Sequence, residues 1–401
     1  MAQLLWGKVY YKDTFAGYLR EETGERFSFT YDLAYLSSGN PAIAYTLPLR
    51  EAPYISQNLH PFFDNLVAEG WLENTQARLI GKRNWNRFEL LLCFGADCAG
   101  AVSVIDPEPI ALKEKSIALS DPKNLAILKG RASLSGVQPK CAIVKENKIF
   151  RPALAGELST HIAKFPSPRF ADIIENEWLS MLAYQTLLPN DEVAELTLTT
   201  IKGIDEEALV IKRFDRTPNK ERIHFEEFNQ LLNLSSAYKY DGSYVDMANF
   251  IYQCNQCIPI EVSRLFRRIL AGILIGNTDM HFKNFAMIYT PTGLRLTPSY
   301  DQIAASIYQF QEMALKITRN SFDIGLLKGK HLFALGNEFQ LNEDITGLLI
   351  KELGSRLELA KDTINEAKHG ARFLKDDIIK EMDKRWKGTF SSIGKRLSKK
   401  R

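Results

Sequence analysis

One segment in the C-terminal half constrains the fold of this chain more than any other. Apolar residues recur at helical spacing from Val262 to Ile273, and the repeat stops at Gly276, a residue that commonly ends helices. A polar loop follows, and two β-type runs over 285–289 and 294–297 then predict a hairpin. The segment therefore predicts a helix, a polar loop and a β-hairpin in direct succession.

Length and composition are those of an ordinary globular protein. The chain has 401 residues, of which 45% are hydrophobic and 25% are charged, so it can bury a large core in two or three units. The formal net charge of +3 is nearly neutral for this size, so composition alone does not indicate a polyanion-binding body. A basic tail over 384–401 could contact phosphates or could be a solvated terminus.

Cysteine usage and the lack of long apolar runs predict a cytoplasmic protein without membrane spans. The five cysteines are an odd number, and no apolar signal segment follows Met1, which fits a reducing compartment. Even the apolar segment 265–275 is interrupted by two arginines. Cys254 and Cys257 have the spacing of half a zinc site, but no second pair follows at suitable spacing, so we interpret them as structural thiols.

The first 110 residues are predicted to form a small α+β subdomain. β-type patterning covers 4–19 and 26–35, and apolar residues at helical spacing predict a helix over 62–80. The sequence Asp106-Pro107-Glu108-Pro109 then breaks the pattern, which predicts a domain boundary near residue 110.

The rest of the chain changes from β-rich to helical. A helix is predicted over 172–188 with a capping-box-like start at Asp172, and the pattern beyond Glu226 is largely helical, including 342–383. Strands are predicted over 141–144, 148–151, 160–165, 196–200 and 208–214. The predicted division is residues 1–110, a β-rich region over 111–215 and a helical region over 216–401.

The polar loop carries a spacing typical of phosphoryl transfer. Asp279 stands five residues before Asn284, as in protein-kinase catalytic loops, where the Asp accepts the substrate hydroxyl proton and the Asn binds magnesium. Asp301 lies just past the hairpin, where its carboxylate could bridge the metal and the phosphates, and His281 could brace the loop. Each residue alone could serve a turn or a cap, but their joint order favours a phosphotransferase.

Upstream residues are candidates for contacts with the nucleotide. Lys164 ends a predicted strand and Glu177 lies on the following helix, which is the order of the lysine and glutamate that form an ion pair in protein kinases. The segment 133–140 could direct backbone amides at phosphates, although its single glycine matches no standard phosphate-loop pattern. Its candidate nucleotide ligands are Ser135, Gly136, Val137, Gln138 and Lys140.

With these residues in order, the chain resembles the HipA family, serine/threonine protein kinases that act as toxins in bacterial type II toxin–antitoxin modules. The resemblance covers most of the sequence. Residues 61–70 and 95–104 are similar to the family's N-terminal subdomain. The segment 133–140 has the family's Ser-x-x-Gly-x-Gln-x-Lys pattern. The other similar segments are 160–166, Asn176-Glu177, the hinge-like 208–216, and 276–285 with Tyr300-Asp301.

The resemblance implies an α+β, bilobal, protein-kinase-like fold with a small N-terminal α+β subdomain and a mostly helical C-lobe. It also implies ATP and Mg²⁺ as cofactors. The implied roles are Asp279 as base, Asn284 and Asp301 as metal ligands, Lys164 as phosphate contact, and the backbone of Lys212, Arg213 and Phe214 as adenine hinge.

The same resemblance implies a regulatory and biological setting. The family's inactivating autophosphorylation site matches Ser133, and Ser135 offers a second hydroxyl two residues away. The implied partners are a HipB-like helix-turn-helix antitoxin, operator DNA through that antitoxin, and a protein of the translation machinery, such as an aminoacyl-tRNA synthetase, as the phosphorylated substrate.

Two other interpretations stay open. A small-molecule phosphotransferase shares the Asp-x4-Asn loop, although the sequence shows no acidic cluster near the loop for a cationic substrate. A catalytically silent kinase fold could act as a co-repressor with a DNA-binding antitoxin. Intact Asp279, Asn284, Asp301 and Lys164 argue against this second alternative.

Overall fold

A computed structural model of the chain describes residues 4–24, 26–82, 85–113, 121–134 and 136–391. Contacts within the chain separate two units. Unit 1 comprises the residues up to Pro166 together with Thr199–Tyr238, and unit 2 comprises Ser167–Leu198 and the residues from Lys239 onward. The three-part division at residues 110 and 215 stays a prediction.

The described residues form thirteen strands and thirteen α-helices. The strands are β1 (Trp6–Tyr11), β2 (Thr14–Glu22), β3 (Arg26–Tyr31), β4 (Tyr54–Ser56), β5 (Val102–Ile105), β6 (Lys140–Glu146), β7 (Ile149–Pro152), β8 (His161–Lys164), β9 (Leu196–Ile201), β10 (Ile204–Lys212), β11 (Phe225–Glu227), β12 (Ala286–Thr290) and β13 (Gly293–Leu296). The helices are α1 (Leu33–Ser37), α2 (Pro61–Asp64), α3 (Gly70–Ile80), α4 (Arg87–Phe94), α5 (Pro122–Gly130), α6 (Ile173–Leu187), α7 (Phe228–Leu231), α8 (Tyr244–Gln253), α9 (Glu261–Ile275), α10 (Gly329–Glu338), α11 (Glu343–Ser355), α12 (Leu357–Glu366) and α13 (Arg372–Arg385).

Unit 1 is built on two five-stranded sheets. The first has the order β4-β3-β2-β1-β5, and its alternating side chains place Leu19 and Phe29 in a core shared with Phe63 and Phe88. The second has the order β7-β6-β8-β10-β9. The predicted hairpin of β6 and β7 is confirmed, and Asn147 begins its turn with a φ of +47°. The second sheet carries the predicted lysines Lys140 and Lys164, and its strand β10 leads into the predicted hinge.

Unit 2 is organised around the predicted amphipathic helix, which is confirmed as α9. Its apolar side packs against α6, α8 and α13, and the helix ends at Gly276 with a left-handed φ of +83°. The hairpin of β12 and β13 follows, as predicted, and joins Thr290 to Gly293. Among the residues with described positions, we find no helix with the length and apolar character that a membrane span requires.

Three predictions of local structure are wrong. Tyr35 lies in α1 rather than in a strand. Its ring stacks on that of Tyr31, with 5.8 Å between the ring centroids. The helix over 62–80 is broken between α2 and α3, because Gly70 adopts a φ of +58° that a continuous helix does not allow. Asp172 precedes α6, but its φ of +53° directs no side-chain cap to the helix, so there is no capping box.

Candidate active site

The loop after α9 is anchored by apolar side chains that leave its carboxylate in solvent. Met280 and Phe282 are fully buried, whereas Asp279 between α9 and Met280 is exposed. A Cβ at Gly272 of α9 would collide with the Met280 sulfur, so this glycine allows the loop to approach the helix. Asp279 is thus an exposed residue within an otherwise buried loop, where it can meet a substrate.

Asp279 and Asn284 are held together by the backbone of the loop. The Nδ2 atom of Asn284 donates a hydrogen bond to the carbonyl oxygen of Asp279 at 2.6 Å, and its backbone N–H donates to His281 at 2.9 Å. Asn284 is only 8% exposed. Because Nδ2 is engaged in this way, the Oδ1 end of the amide is the one suited to a metal ion.

Asn277 joins this loop to the segment that carries Asp301. Its Oδ1 accepts from the Asp279 N–H at 3.0 Å, and its Nδ2 donates to Gln302 Oε1 at 3.1 Å. Gln302 in turn donates to the carbonyl of Tyr300 at 3.1 Å. Both chain neighbours of Asp301 therefore belong to the hydrogen-bond network of Asn277. The sequence does not reveal this role of Asn277, because nothing in its spacing indicates a contact with a residue 25 positions later.

Helix α6 is tied to the same segment. The Nδ2 of Asn176 donates to the carbonyl of Ala304 at 3.3 Å, and the N–H of Ala304 donates to Asn176 Oδ1 at 3.1 Å and to Ser180 Oγ at 3.0 Å. Glu177, the predicted partner of the strand lysine, follows Asn176 and is buried. The position of Asp301 is therefore coupled to the helix that carries Glu177.

The donor atoms of unit 2 suit magnesium. The candidate ligands Asn284 and Asp301 offer amide and carboxylate oxygens, the type that this hard cation prefers. The residues with described positions contain no group of three or more His, Cys, Asp or Glu that could hold a metal ion. Two side-chain ligands nevertheless fit Mg²⁺, because it is commonly bound through one or two protein oxygens with water and substrate phosphates completing the shell.

The candidate phosphate loop of unit 1 is fixed at both ends. Ser133 is 2% exposed, and its Oγ donates to the carbonyl of Leu66 at 2.7 Å. At the other end, Gln138 Nε2 donates to the carbonyl of Phe165 at 2.9 Å, while Val137 between them is exposed. Ser135 lies outside the described residues. The loop thus exposes its tip and buries its first hydroxyl.

Two lysines face each other beneath this loop. Lys140 on β6 is paired in register with Lys164 on β8, and the two are only 4% and 6% exposed. Side chains that are directly opposite in an antiparallel pair point to the same face of the sheet. Gly136 has a φ of +96°, and a Cβ there would collide with the Lys140 ammonium. Two buried cations and a glycine turn together make a suitable cradle for phosphate groups.

In the predicted hinge, the side chain of Arg213 belongs to a buried ionic cluster. Arg213 donates from Nε and Nη2 to both carboxylate oxygens of Asp215, at 2.9 and 2.7 Å, and from Nη1 to Ser159 at 2.8 Å. Asp97 accepts from Arg216 at 2.7 Å. Burial alone would raise the pKa of Asp97 and Asp215, but the neighbouring arginines hold both pKa values below the ordinary range.

The predicted residues are therefore arranged as two sets, one in each unit. The nucleotide candidates Gly136, Val137, Gln138, Lys140, Lys164, Lys212, Arg213 and Phe214 belong to unit 1, and Glu177, Asp279, His281, Asn284 and Asp301 belong to unit 2. The ion pair of Lys164 and Glu177 stays a prediction. Of the basic tail, Lys395, Arg396, Lys399, Lys400 and Arg401 lie outside the described residues. Asn277, Gln302 and Asp97 were not predicted as site residues.

Comparison with solved structures identifies the class of fold. The complex of Shewanella oneidensis HipA and HipB with operator DNA contains a chain that matches with a TM-score of 0.77 and 21% identity, covering 97% of this chain and 98% of that one. At this identity the match shows the fold alone. The predicted α+β, kinase-like fold is confirmed.

Curated relatives and family models then identify the family. A putative kinase of Sinorhizobium fredii is 33% identical over 267 residues, which are 62% of this chain and 63% of the relative, less than two thirds of its length. The serine/threonine-protein kinase toxin HipA of Shewanella oneidensis is 27% identical over 337 residues, 76% of each chain. The HipA-like C-terminal domain matches residues 132–364 and the HipA N-terminal domain matches 7–105. The chain therefore belongs to the HipA family of kinases.

Proposed function

We propose that this protein is an ATP-dependent serine/threonine protein kinase that acts as the toxin of a HipBA-like toxin–antitoxin system. The observation that carries the proposal is the bonded series in unit 2, in which Asn277 joins the loop of Asp279 and Asn284 to the segment of Asp301. A base and two oxygen ligands held in one network are what phosphoryl transfer to a hydroxyl requires.

Each set of residues has a distinct part in the proposed reaction. Asp279 orients the acceptor hydroxyl and takes its proton. Asn284 and Asp301 would hold Mg²⁺, which supplies charge neutralisation on the phosphates when bound. Lys140 and Lys164 bind phosphate oxygens through their ammonium groups, and the backbone of the hinge over 212–214 binds adenine.

The relatives support a proposal for the biological setting. Shewanella HipA is a serine/threonine-protein kinase toxin, and its solved complex contains HipB and operator DNA. We infer a HipB-like helix-turn-helix antitoxin as partner, contact with operator DNA through it, and a translation protein such as an aminoacyl-tRNA synthetase as substrate. Phosphorylation of Ser133 or Ser135 would place about two negative charges in the phosphate loop and inactivate the kinase.

Incubation of the purified protein with Mg²⁺ and γ-labelled ATP in a bacterial lysate tests the proposal. Protein and small-molecule fractions are separated, and the labelled species are identified by mass spectrometry. The proposal expects label on serine or threonine of a lysate protein, and much slower labelling by Asp279→Asn. Label confined to a small molecule would instead indicate a small-molecule phosphotransferase. Absence of any transfer would contradict enzymatic activity and favour the co-repressor.

A further inference from the structure

Tyr240 contacts the candidate base although its side chain is largely in solvent. The residue is 51% exposed, yet its hydroxyl donates a hydrogen bond to Asp279 Oδ1 at 3.2 Å. The ring also meets His281 edge-on, with 5.0 Å between centroids and 80° between planes. One tyrosine therefore contacts both the candidate base and the histidine that is predicted to brace its loop.

The backbone around Tyr240 fixes this position. The carbonyl of Lys239 accepts from the Phe282 N–H at 3.2 Å, and the carbonyl of Gly242 accepts from the Lys316 N–H at 3.0 Å. A Cβ at Gly242 would lie 2.5 Å from the ring of Phe282, so the glycine is needed for this close approach. The segment is thus bonded on both sides of Tyr240, and the tyrosine is placed by the fold rather than by chance exposure.

The next element of the chain begins immediately after this segment. Ser243 caps α8, accepting from the Asp246 N–H at 3.3 Å, while its own N–H donates to the Asp246 carboxylate at 2.7 Å. This reciprocal cap fixes the direction in which the chain leaves Tyr240. Along the chain, Tyr240 therefore stands between Lys239, whose backbone is bonded to the catalytic loop, and the capped start of α8 at Ser243.

We propose that Tyr240 is a positioning residue for the acceptor hydroxyl, a role that rests on the proposed kinase function. Its hydrogen bond to Oδ1 restricts rotation of the Asp279 carboxylate and assigns the acceptor proton to Oδ2. In the transfer, the acceptor oxygen forms its bond to the γ-phosphorus while the bond to the ADP oxygen breaks, and the acceptor proton moves to Oδ2. Tyr240 donates to the carboxylate throughout and is not itself consumed.

The phenylalanine variant separates the hydroxyl from the ring. Tyr240→Phe keeps the edge contact with His281 and removes the hydroxyl that is bonded to Asp279. Tyr252→Phe is the matched control, because it removes a tyrosine hydroxyl bonded at 2.8 Å to the Phe339 carbonyl in the same unit. The turnover number kcat and the KM for ATP are measured with the lysate protein that the wild type labels, and thermal unfolding is followed in parallel.

We expect Tyr240→Phe to lower kcat by about tenfold or more, since hydrogen bonds to charged groups contribute at this scale. The KM for ATP and the melting temperature should stay at wild-type values, as should kcat in Tyr252→Phe. Tyr240→Ala should lose at least as much kcat as the phenylalanine variant. A wild-type kcat in Tyr240→Phe would overturn the proposal, and so would a raised kcat, which would show the hydroxyl competing with the acceptor. Failure of the kinase function itself would appear as an inactive wild type and would overturn both proposals.

Discussion

Asn277 and Gln302 are hydrogen-bonded side chain to side chain at 3.1 Å, although 25 residues separate them. This bond links the loop of the candidate base to the segment of the candidate metal ligand Asp301. Asn277 is fully buried, so both of its amide atoms need protein partners, and both have them. The relative position of Asp279 and Asp301 therefore depends on one amide.

Asn277→Ala should impair catalysis beyond its effect on stability. The change removes two buried hydrogen bonds and should lower the free energy of unfolding by about 2 kcal/mol. We also expect kcat to fall about a hundredfold, because a misplaced catalytic group is costly. Thr278→Val is the control, since it removes a partly buried hydrogen bond of 2.9 Å to the Phe310 carbonyl. Equal losses of kcat in the two variants would contradict the positioning role of Asn277.

Lys140→Met and Lys164→Met should each weaken ATP binding. Both side chains lie on one face of the sheet, and the Lys140 ammonium lies against Gly136. Each lysine is expected to contact phosphate oxygens. The KM for ATP should rise about tenfold or more, and the upward shift of the melting temperature with ATP should shrink. Lys145→Met, at an exposed position of β6, is the control. An unchanged KM for ATP in both buried variants would contradict phosphate binding by Lys140 and Lys164.

Much of the fold was predictable because local patterns decide it. The stripe of α9, the glycine at its end and the hairpin of β12 and β13 depend on periodicity and turn residues, and each is confirmed. The helix break before Gly70 was missed because apolar periodicity does not reveal the positive φ of that glycine. The helical position of Tyr35 was missed because packing of its ring against Tyr31, rather than β-propensity, determines it.

The site was predictable only where its residues are close in sequence. The spacing of Asp279 and Asn284 indicates a shared loop, and the structure adds the bond that closes it. The pairing of Lys140 with Lys164 depends on strand register, and the bond of Asn277 to Gln302 depends on tertiary packing. Local pattern contains neither kind of information.

The buried cluster behind the hinge should make stability sensitive to acid. Asp97 and Asp215 have pKa values held below the ordinary 3.8 by Arg213 and Arg216, despite burial. A depressed folded-state pKa stabilises the fold above the unfolded-state value, and this stabilisation is lost as the pH falls below 3.8 toward the folded-state pKa. Thermal unfolding should therefore show a falling melting temperature in that range. The fall of melting temperature per pH unit should be smaller in Asp97→Asn. An unchanged pH dependence of the melting temperature would contradict the contribution of Asp97.

Self-phosphorylation should map to the candidate phosphate loop. Ser133 Oγ must leave the Leu66 carbonyl before it can accept a phosphate, because it is buried and bonded there. We expect the phosphorylated protein to show a smaller ATP-induced rise in melting temperature. Ser133→Ala combined with Ser135→Ala should abolish incorporation in the purified protein, and the single variants should separate the two sites. Phosphate found elsewhere by mass spectrometry would refute the assignment.

The central claim is that Asp279 is the base of a magnesium-dependent phosphoryl transfer. The most direct measurement compares transfer of labelled phosphate from ATP to a lysate protein by wild type, Asp279→Asn and Asp362→Asn. The last is a control that neutralises an exposed carboxylate on α12. Melting temperatures should be the same in all three proteins. We predict that Asp279→Asn lowers the transfer rate about a thousandfold while Asp362→Asn keeps the wild-type rate. Transfer by Asp279→Asn at the wild-type rate would contradict the account.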